Sequence, residues 1–197
     1  MIQVCTVYLP DSKKLSVRRE EILRYLRASK STVETDLLID ECLKEALKII
    51  SPKSVYIETC VDVLENDIVK FDFAEVKSHN LAKNLEKCKK AYVFCATIGI
   101  ELDRLIEKYS KFSQSKATVL HAIGSALIEE FCDYVNDFLV GNEKATRRFS
   151  PGYGDLSLDF QPIVLNALDA ERKIGIILGS SLLMQPSKSV TAIIGIE

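Results

Sequence analysis

A short segment of the sequence, residues 147–155, combines residue types that can bind a small charged ligand. It reads Arg-Arg-Phe-Ser-Pro-Gly-Tyr-Gly-Asp. The proline fixes one φ angle and the two glycines permit positive φ, so the backbone follows a tight path that leaves amide and carbonyl groups accessible. Arg148 supplies a permanent cation whose planar fork suits a carboxylate, and Tyr153 supplies a flat ring for stacking. We expect a site for a ligand with an aromatic base and a carboxylate, with an ordinary surface turn as the alternative.

The sequence lacks the motifs of several common enzyme sites. It contains no G-x-G-x-x-G dinucleotide loop, no G-x-x-x-x-G-K-[ST] phosphate loop and no G-x-S-x-G nucleophile elbow. The neighbouring acids Glu129 and Glu130 point about 100° apart on a helix and do not form a catalytic pair by spacing. We therefore expect no side chain here to act as acid, base or nucleophile.

The six cysteines and two histidines give little support for a metal centre. The cysteines are scattered without a C-x-x-C pair, and a reducing compartment disfavours disulfides. We expect no metal site, and we expect the cysteines to be small buried hydrophobes. Cys60 and Cys95 would lie in strands, and Cys42 and Cys132 in helices.

Length and composition indicate one globular domain spanning residues 1–197. The chain is 47% hydrophobic and 27% charged, with a formal net charge of −2 and no basic stripe, so we expect no nucleic-acid partner. It shows neither a secretory signal nor an apolar run of about 18 residues. We therefore expect a cytoplasmic protein that does not enter a membrane.

The hydrophobic pattern mixes strand and helix periods without a regular βαβ rhythm. This order favours an α+β fold, a mostly antiparallel sheet with long helices packed on it. Gly124 lies inside the longest predicted helix and suggests close approach by another element. Strands are predicted at 4–9, 54–63, 68–73, 90–97, 174–184 and 189–196, and helices at 17–28, 31–50, 78–88, 100–110, 115–140 and 161–169.

Two segments carry a resemblance to a known family. Residues 148–153 resemble the R-x-x-P-G-Y stretch of the activation domain of vitamin B12-dependent methionine synthase. Residues 183–192, Leu-Met-Gln-Pro-Ser-Lys-Ser-Val-Thr-Ala, resemble that family's M-x-P-x-x-S-V-S-G run. The order of helix and strand between the two motifs also fits, and the similarity is clear from about residue 117 to residue 194. The sequence thus resembles a stand-alone copy of this reactivation domain, which implies the fold of that domain.

The resemblance implies S-adenosylmethionine as the ligand and assigns roles to residues of the first motif. Arg148 would pair with the methionine carboxylate of the ligand. Ser150, Gly152 and Tyr153 would line the adenosine and make the backbone contacts.

The resemblance also implies roles outside the first motif. Glu129, on the long helix, would help to hold the polar end of the ligand, with Glu130 as the alternative register. Ser189 and Val190 belong to the second motif and would support the loop.

The implied function is the reactivation of a corrinoid enzyme. S-adenosylmethionine would methylate cob(II)alamin reductively on a separate cobalamin-dependent methionine synthase core or another corrinoid protein, with an electron donor such as flavodoxin. The cobalamin would be carried by that partner, and this chain would be an accessory component of the methyltransferase without catalytic residues of its own.

Two alternatives differ from this function in kind. One is a non-catalytic docking protein for a corrinoid methyltransferase that no longer binds S-adenosylmethionine. It is motivated by a ligand-contacting tyrosine that the family carries downstream of the second motif and that these 197 residues do not contain. The other is an independent methyltransferase, which the lack of a catalytic base and of a glycine loop disfavours.

Overall fold

An antiparallel sheet forms the centre of the structure. The computed structural model describes residues 5–10, 15–28 and 30–197. The strands in these ranges are β1 (Thr6–Tyr8), β2 (Lys53–Leu64), β3 (Ile68–Phe71), β4 (Glu75–Lys77), β5 (Lys90–Thr97), β6 (Ile177–Leu178), β7 (Met184–Gln185) and β8 (Ser189–Ile196). Six of them form the main sheet in the order β4-β3-β2-β5-β8, with β1 beside β2, and β6 pairs with β7 separately.

Strand β2 is long enough to pair with three other strands of the main sheet. One edge of β2 pairs first with β1, at residues 54–56, and then with β3, at residues 61–64. Its other edge pairs with β5 along residues 53–60. Strand β5 pairs in turn with β8 over its whole length. All of these pairings are antiparallel, which confirms the predicted fold class.

Side-chain caps and a terminal glycine mark several of the helix ends. They are α1 (Arg19–Tyr25), α2 (Val33–Ile49), α3 (His79–Leu85), α4 (Glu101–Ser110), α5 (Gln114–Val140), α6 (Gln161–Ala167) and α7 (Ala170–Ile174). Thr32 caps α2 by accepting a hydrogen bond from the Thr35 amide at 3.2 Å, and Ser78 caps α3 in the same way. Gly141 ends α5 with φ at +56°, a conformation that glycine adopts at low cost.

Helices pack on both faces of the sheet. The central strand β5 has apolar side chains on both of its faces. In β5, Phe94 and Ala96 join the core formed with α1, α2, α4 and α5, whereas Val93 and Cys95 join the core formed with α3, α6 and α7. Alternate residues of a strand point to opposite faces, so one strand contributes to both cores. The sheet therefore fixes the position of its own strand β8 and of helix α5, which packs on it.

Gly124 marks a close approach, as its position in the helix suggests. A Cβ atom placed there would lie 2.7 Å from Cδ2 of Leu102 in α4 and 3.0 Å from Cε of Lys188. A larger residue there would require the side chains of Leu102 and Lys188 to move.

The predicted strand at 174–184 is wrong. Residues 170–174 form α7, which ends at Gly175 in the left-handed conformation, with φ at +76°. The following residues make only the short β6–β7 hairpin, whose turn includes Leu182 with φ at +59°. The apolar run suggested a strand, but it lies across a helix end and a turn.

Strand β4 was not predicted, since three residues carry too little pattern. The predicted start of the first strand at Val4 lies outside the described residues.

The expectation that the cysteines are buried holds for Cys42, Cys88, Cys95 and Cys132. It is wrong for Cys60, which is exposed because its side chain lies on the outward face of β2 with those of Glu58 and Asp62, and Cys5 is only half-buried.

Candidate functional site

The segment that begins at Arg148 is attached to the free edge of β8. Phe149 and Ile193 exchange backbone hydrogen bonds, N to O, at 2.9 and 2.8 Å. The Ser150 hydroxyl donates to the carbonyl oxygen of Thr191 at 2.6 Å. These bonds fix the backbone of the segment against a strand that contributes residues to both cores.

Beyond Ser150 the backbone turns through positive φ angles, as the Pro/Gly sequence predicts. Gly152 has φ at +90° and Gly154 has φ at +54°. The Tyr153 amide donates to the Ser150 carbonyl at 3.0 Å, and the Gly152 amide donates to the Leu156 carbonyl at 2.8 Å. The turn therefore satisfies its own backbone groups and projects the Tyr153 ring outward.

Asp155 anchors the far end of the segment to α3. Its carboxylate accepts hydrogen bonds from the Ser78 hydroxyl at 2.5 Å and from the amides of His79 and Asn80 at 2.7 and 3.1 Å. These bonds, that from Ser78 foremost, lower the pKa of Asp155 below its ordinary value. Gly154 has positive φ, and a Cβ atom there would displace the Asn80 side chain, so a larger residue would strain this end of the segment.

An open cleft of about 640 Å³ lies between this segment, α5 and the start of β8. Its size falls within the range of small-ligand sites in proteins. The residues that line it are Glu129, Asp133, Asn136, Thr146, Arg147, Arg148, Ser150, Pro151, Tyr153, Leu158, Gln161, Met184, Ser189, Val190 and Thr191. Two motifs that are distant in sequence thus meet around one cleft.

Arg148 is held between two carboxylates of α5. Its Nη2 atom lies 3.2 Å from Oε2 of Glu129 and 3.0 Å from Oδ1 of Asp133. The Arg148 side chain is 23% exposed, and its Nη1 atom is buried without a hydrogen-bond partner. A buried donor without a partner carries a free-energy cost that a new acceptor would remove.

Glu129, not Glu130, is the acid of α5 that faces Arg148. Glu129 lines the cleft, whereas Glu130 lines only an adjoining groove beside α1. Burial raises the pKa of the Glu130 carboxyl. Of the two registers that the sequence left open, the contact with the guanidinium favours Glu129.

The remaining residues predicted from the first motif differ in how they lie relative to the cleft. Tyr153 is 65% exposed at the edge of the cleft, with its ring centroid 6.3 Å from that of Phe149. Ser150 lines the cleft, but its hydroxyl is already used on Thr191. Gly152 is not among the lining residues, and it acts through the shape of the turn.

The second motif forms the opposite wall. Ser189 and Val190 line the cleft at the start of β8, and the Ser189 hydroxyl donates to the Pro186 carbonyl at 2.7 Å. Thr191 donates through its hydroxyl to Oε1 of Gln161 at 2.9 Å, in a buried bond that fixes α6 against β8. These contacts fit the expected supporting role of the motif.

Sequence reasoning gave no role to five polar residues of the lining, namely Asp133, Asn136, Thr146, Gln161 and Thr191. Asp133 and Asn136 follow Glu129 by four and seven residues, so all three lie on one face of α5, and this spacing was a usable signal. Thr191 lies within the second motif, whereas Thr146 and Gln161 meet the cleft only through tertiary packing.

None of the helices in the described ranges combines the length and the apolar character that a membrane span requires.

Comparisons with known proteins yield a structural match and no sequence match. No protein-family model and no curated protein sequence matches the chain. Among solved structures, the chain is similar to the MetH reactivation domain, in a crystal structure of that domain bound to AdoHcy, with a TM-score of 0.75 and 14% sequence identity. The likeness covers 98% of this chain and 78% of that chain. At this identity it shows the fold alone, and it confirms at that level the resemblance carried by the two motifs.

Proposed function

We propose that this chain is an S-adenosylmethionine-binding reactivation subunit, which supports the reductive methylation of cob(II)alamin on a separate cobalamin-dependent methionine synthase. The observation that carries the proposal is the cleft in which Arg148, Tyr153 and the start of β8 meet. The fold supports it, because the similar MetH domain was solved with AdoHcy bound. We further propose that residues 1–197 act as one domain and that the protein is cytoplasmic.

The chemistry of the cleft suits the two ends of this ligand. The exposed Tyr153 ring offers a face on which an adenine can stack. The Arg148 guanidinium lines the cleft and supplies a cation for the methionine carboxylate, and its Nη1 atom has no hydrogen-bond partner within the protein. Glu129 and Asp133 can accept hydrogen bonds from the ligand's ammonium group, since an ionised carboxylate has more acceptor sites than one contact with Nη2 uses.

The residues of this chain would bind and orient the ligand. A corrinoid on the partner would supply the cobalt nucleophile, and an electron donor such as flavodoxin would supply the electron that reduces cob(II)alamin. Positioning a methyl donor in this way lowers the barrier of a transfer through orientation, without an acid, base or nucleophile from this chain. The rim of the cleft is open, as access by a second protein requires.

Calorimetric titration with S-adenosylmethionine tests the binding step. We expect saturable binding to the unmodified protein and about 10- to 150-fold weaker binding to Arg148→Ala, because charge-assisted hydrogen bonds contribute about 1.5–3 kcal/mol. Arg104→Ala is the matched control, since Arg104 is exposed on α4 and pairs within its own helix with Glu101. Equal affinity for the unmodified protein and Arg148→Ala would show that Arg148 does not bind the ligand.

A reactivation assay tests the proposed role beyond binding. A cobalamin-loaded methionine synthase core without its own activation domain should recover turnover when this chain, S-adenosylmethionine and a reductant are added. Arg148→Ala should restore much less turnover at the same ligand concentration. Full ligand binding without any recovery would separate a ligand-binding protein from a reactivation subunit and would contradict the proposed role.

A further inference from the structure

Asp133 has no role in the site predicted from the sequence, yet it contributes half of the acidic wall of the cleft. It lies one turn after Glu129 on α5, and both carboxylates contact the same nitrogen of Arg148, at 3.0 and 3.2 Å. One cation shared by two anions leaves this cluster with a net charge of −1. The Asp133 side chain is 67% exposed, so its charge faces the open part of the cleft.

The excess of one negative charge is local to the cluster of Arg148 and the two carboxylates. Arg147 also lines the cleft and makes the formal charge of the whole lining neutral, but it is not paired with either carboxylate of the cluster, and water and salt screen its exposed charge as they screen that of Asp133. Beyond Glu129 and Asp133, the adjoining groove beside α1 adds Arg18 and Arg24 together with Glu21 and Glu130, whose charges balance. The charge that meets a ligand between Arg148 and α5 is therefore set by the two carboxylates of α5.

We propose that Asp133, together with Glu129, is a specificity-determining residue that makes the cleft prefer a positively charged sulfur over a neutral one. This inference rests on the proposed function and extends it to ligand discrimination. In methyl transfer, the bond between sulfur and the methyl carbon breaks, its electron pair stays on sulfur, and the sulfonium cation becomes an uncharged thioether. The product therefore loses an attraction that the methyl donor had, which favours exchange of S-adenosylhomocysteine for fresh S-adenosylmethionine.

The ratio of two dissociation constants isolates this effect. S-adenosylmethionine and S-adenosylhomocysteine share the adenosine, the ammonium and the carboxylate, so the contacts of those groups cancel in the ratio. In the unmodified protein we expect tighter binding of S-adenosylmethionine, and in Asp133→Asn we expect the preference to fall about fivefold. That factor corresponds to two unit charges about 4 Å apart in a medium like water.

Asp137→Asn is the matched control. Asp137 is an exposed aspartate of α5, one turn beyond Asp133, and it does not line the cleft. We expect it to leave the preference unchanged. Sinefungin, whose amine is cationic where the sulfonium stands, separates charge from the extra methyl group, and its affinity should fall in Asp133→Asn as that of S-adenosylmethionine does.

The outcomes distinguish this inference from the function on which it rests. If none of the three ligands binds the unmodified protein, the proposed function fails and the inference fails with it. If all bind, but Asp133→Asn keeps the original preference, the inference alone is wrong. A fall in affinity for S-adenosylmethionine without a fall for sinefungin would show that Asp133 recognises the methyl group and not the charge, and would also overturn it.

Discussion

Arg148 and Asp155 lie in the same loop, but their side chains contact helices on opposite faces of the sheet. Arg148 meets the two carboxylates of α5 at the wall of an open cleft and keeps one nitrogen unpartnered. Asp155 instead accepts three hydrogen bonds at the start of α3. The hydrogen-bonding groups of Arg148 are incompletely satisfied, as those of binding residues often are. Those of Asp155 are satisfied within the protein.

This contrast separates ligand affinity from loop stability. Replacing Arg148 or Tyr153 should change affinity, with little effect on folding. Replacing Gly154 or Asp155 should change stability, with an effect on affinity only through the position of the loop. Three substitutions test the separation, in decreasing order of expected effect.

Gly154→Ala should give the largest effect, a loss of about 2 kcal/mol in the free energy of unfolding. A left-handed conformation costs an alanine about 1–2 kcal/mol, and the new Cβ would also press against Asn80. Gly175→Ala is the control, because Gly175 also has positive φ but has open space around it, so it should lose only about 1 kcal/mol. Urea denaturation measures both, and equal losses would show that the contact with Asn80 adds nothing.

Tyr153→Ala should weaken binding of S-adenosylmethionine about tenfold, which corresponds to roughly 1.4 kcal/mol, because a base loses its stacking surface. The urea midpoint should stay close to that of the unmodified protein, since the ring is 65% exposed. Tyr153→Phe keeps the ring and should retain most of the affinity by calorimetry. A large loss in the phenylalanine variant would assign the contribution to the hydroxyl instead.

Asp155→Asn should give the smallest effect, and one that depends on pH. Because the folded pKa of Asp155 is lowered, its ionised form stabilises the fold above the ordinary value of 3.8, and that stability is lost as the pH falls through the folded pKa. The variant should therefore be less stable than the unmodified protein at pH 7, and the difference should shrink below pH 3.8. A difference that persists unchanged in acid, measured by urea midpoints, would exclude the charge of Asp155 as its source.

Local rules predicted most elements of the fold because their signals are contiguous in the sequence. Helix α5 combines a long apolar period with a glycine after its last turn, and the alternation of β2 also assigns its faces. The strand expected at 174–184 is wrong because that prediction also relied on contiguous residues. The apolar run looked continuous, but Gly175 divides it between a helix end and a hairpin. Hydrophobic pattern alone does not show where such a run turns.

The candidate site was predictable where its residues share a motif or a helix face. Arg148 and Tyr153 belong to one short segment, so their types and spacing suggested a ligand. Asp133 could have been found from its spacing to Glu129 on α5. The bond between Gln161 and Thr191 could not, because it exists only once α6 packs against β8.

The most direct test of the division within the loop is a crystal structure of the protein with S-adenosylhomocysteine. The proposed site predicts the adenine against the Tyr153 ring and the carboxylate on the Arg148 guanidinium, with Asp155 still bound to Ser78 and to the start of α3. A ligand that is ordered elsewhere on the protein, or one whose carboxylate makes no contact with Arg148, would contradict it.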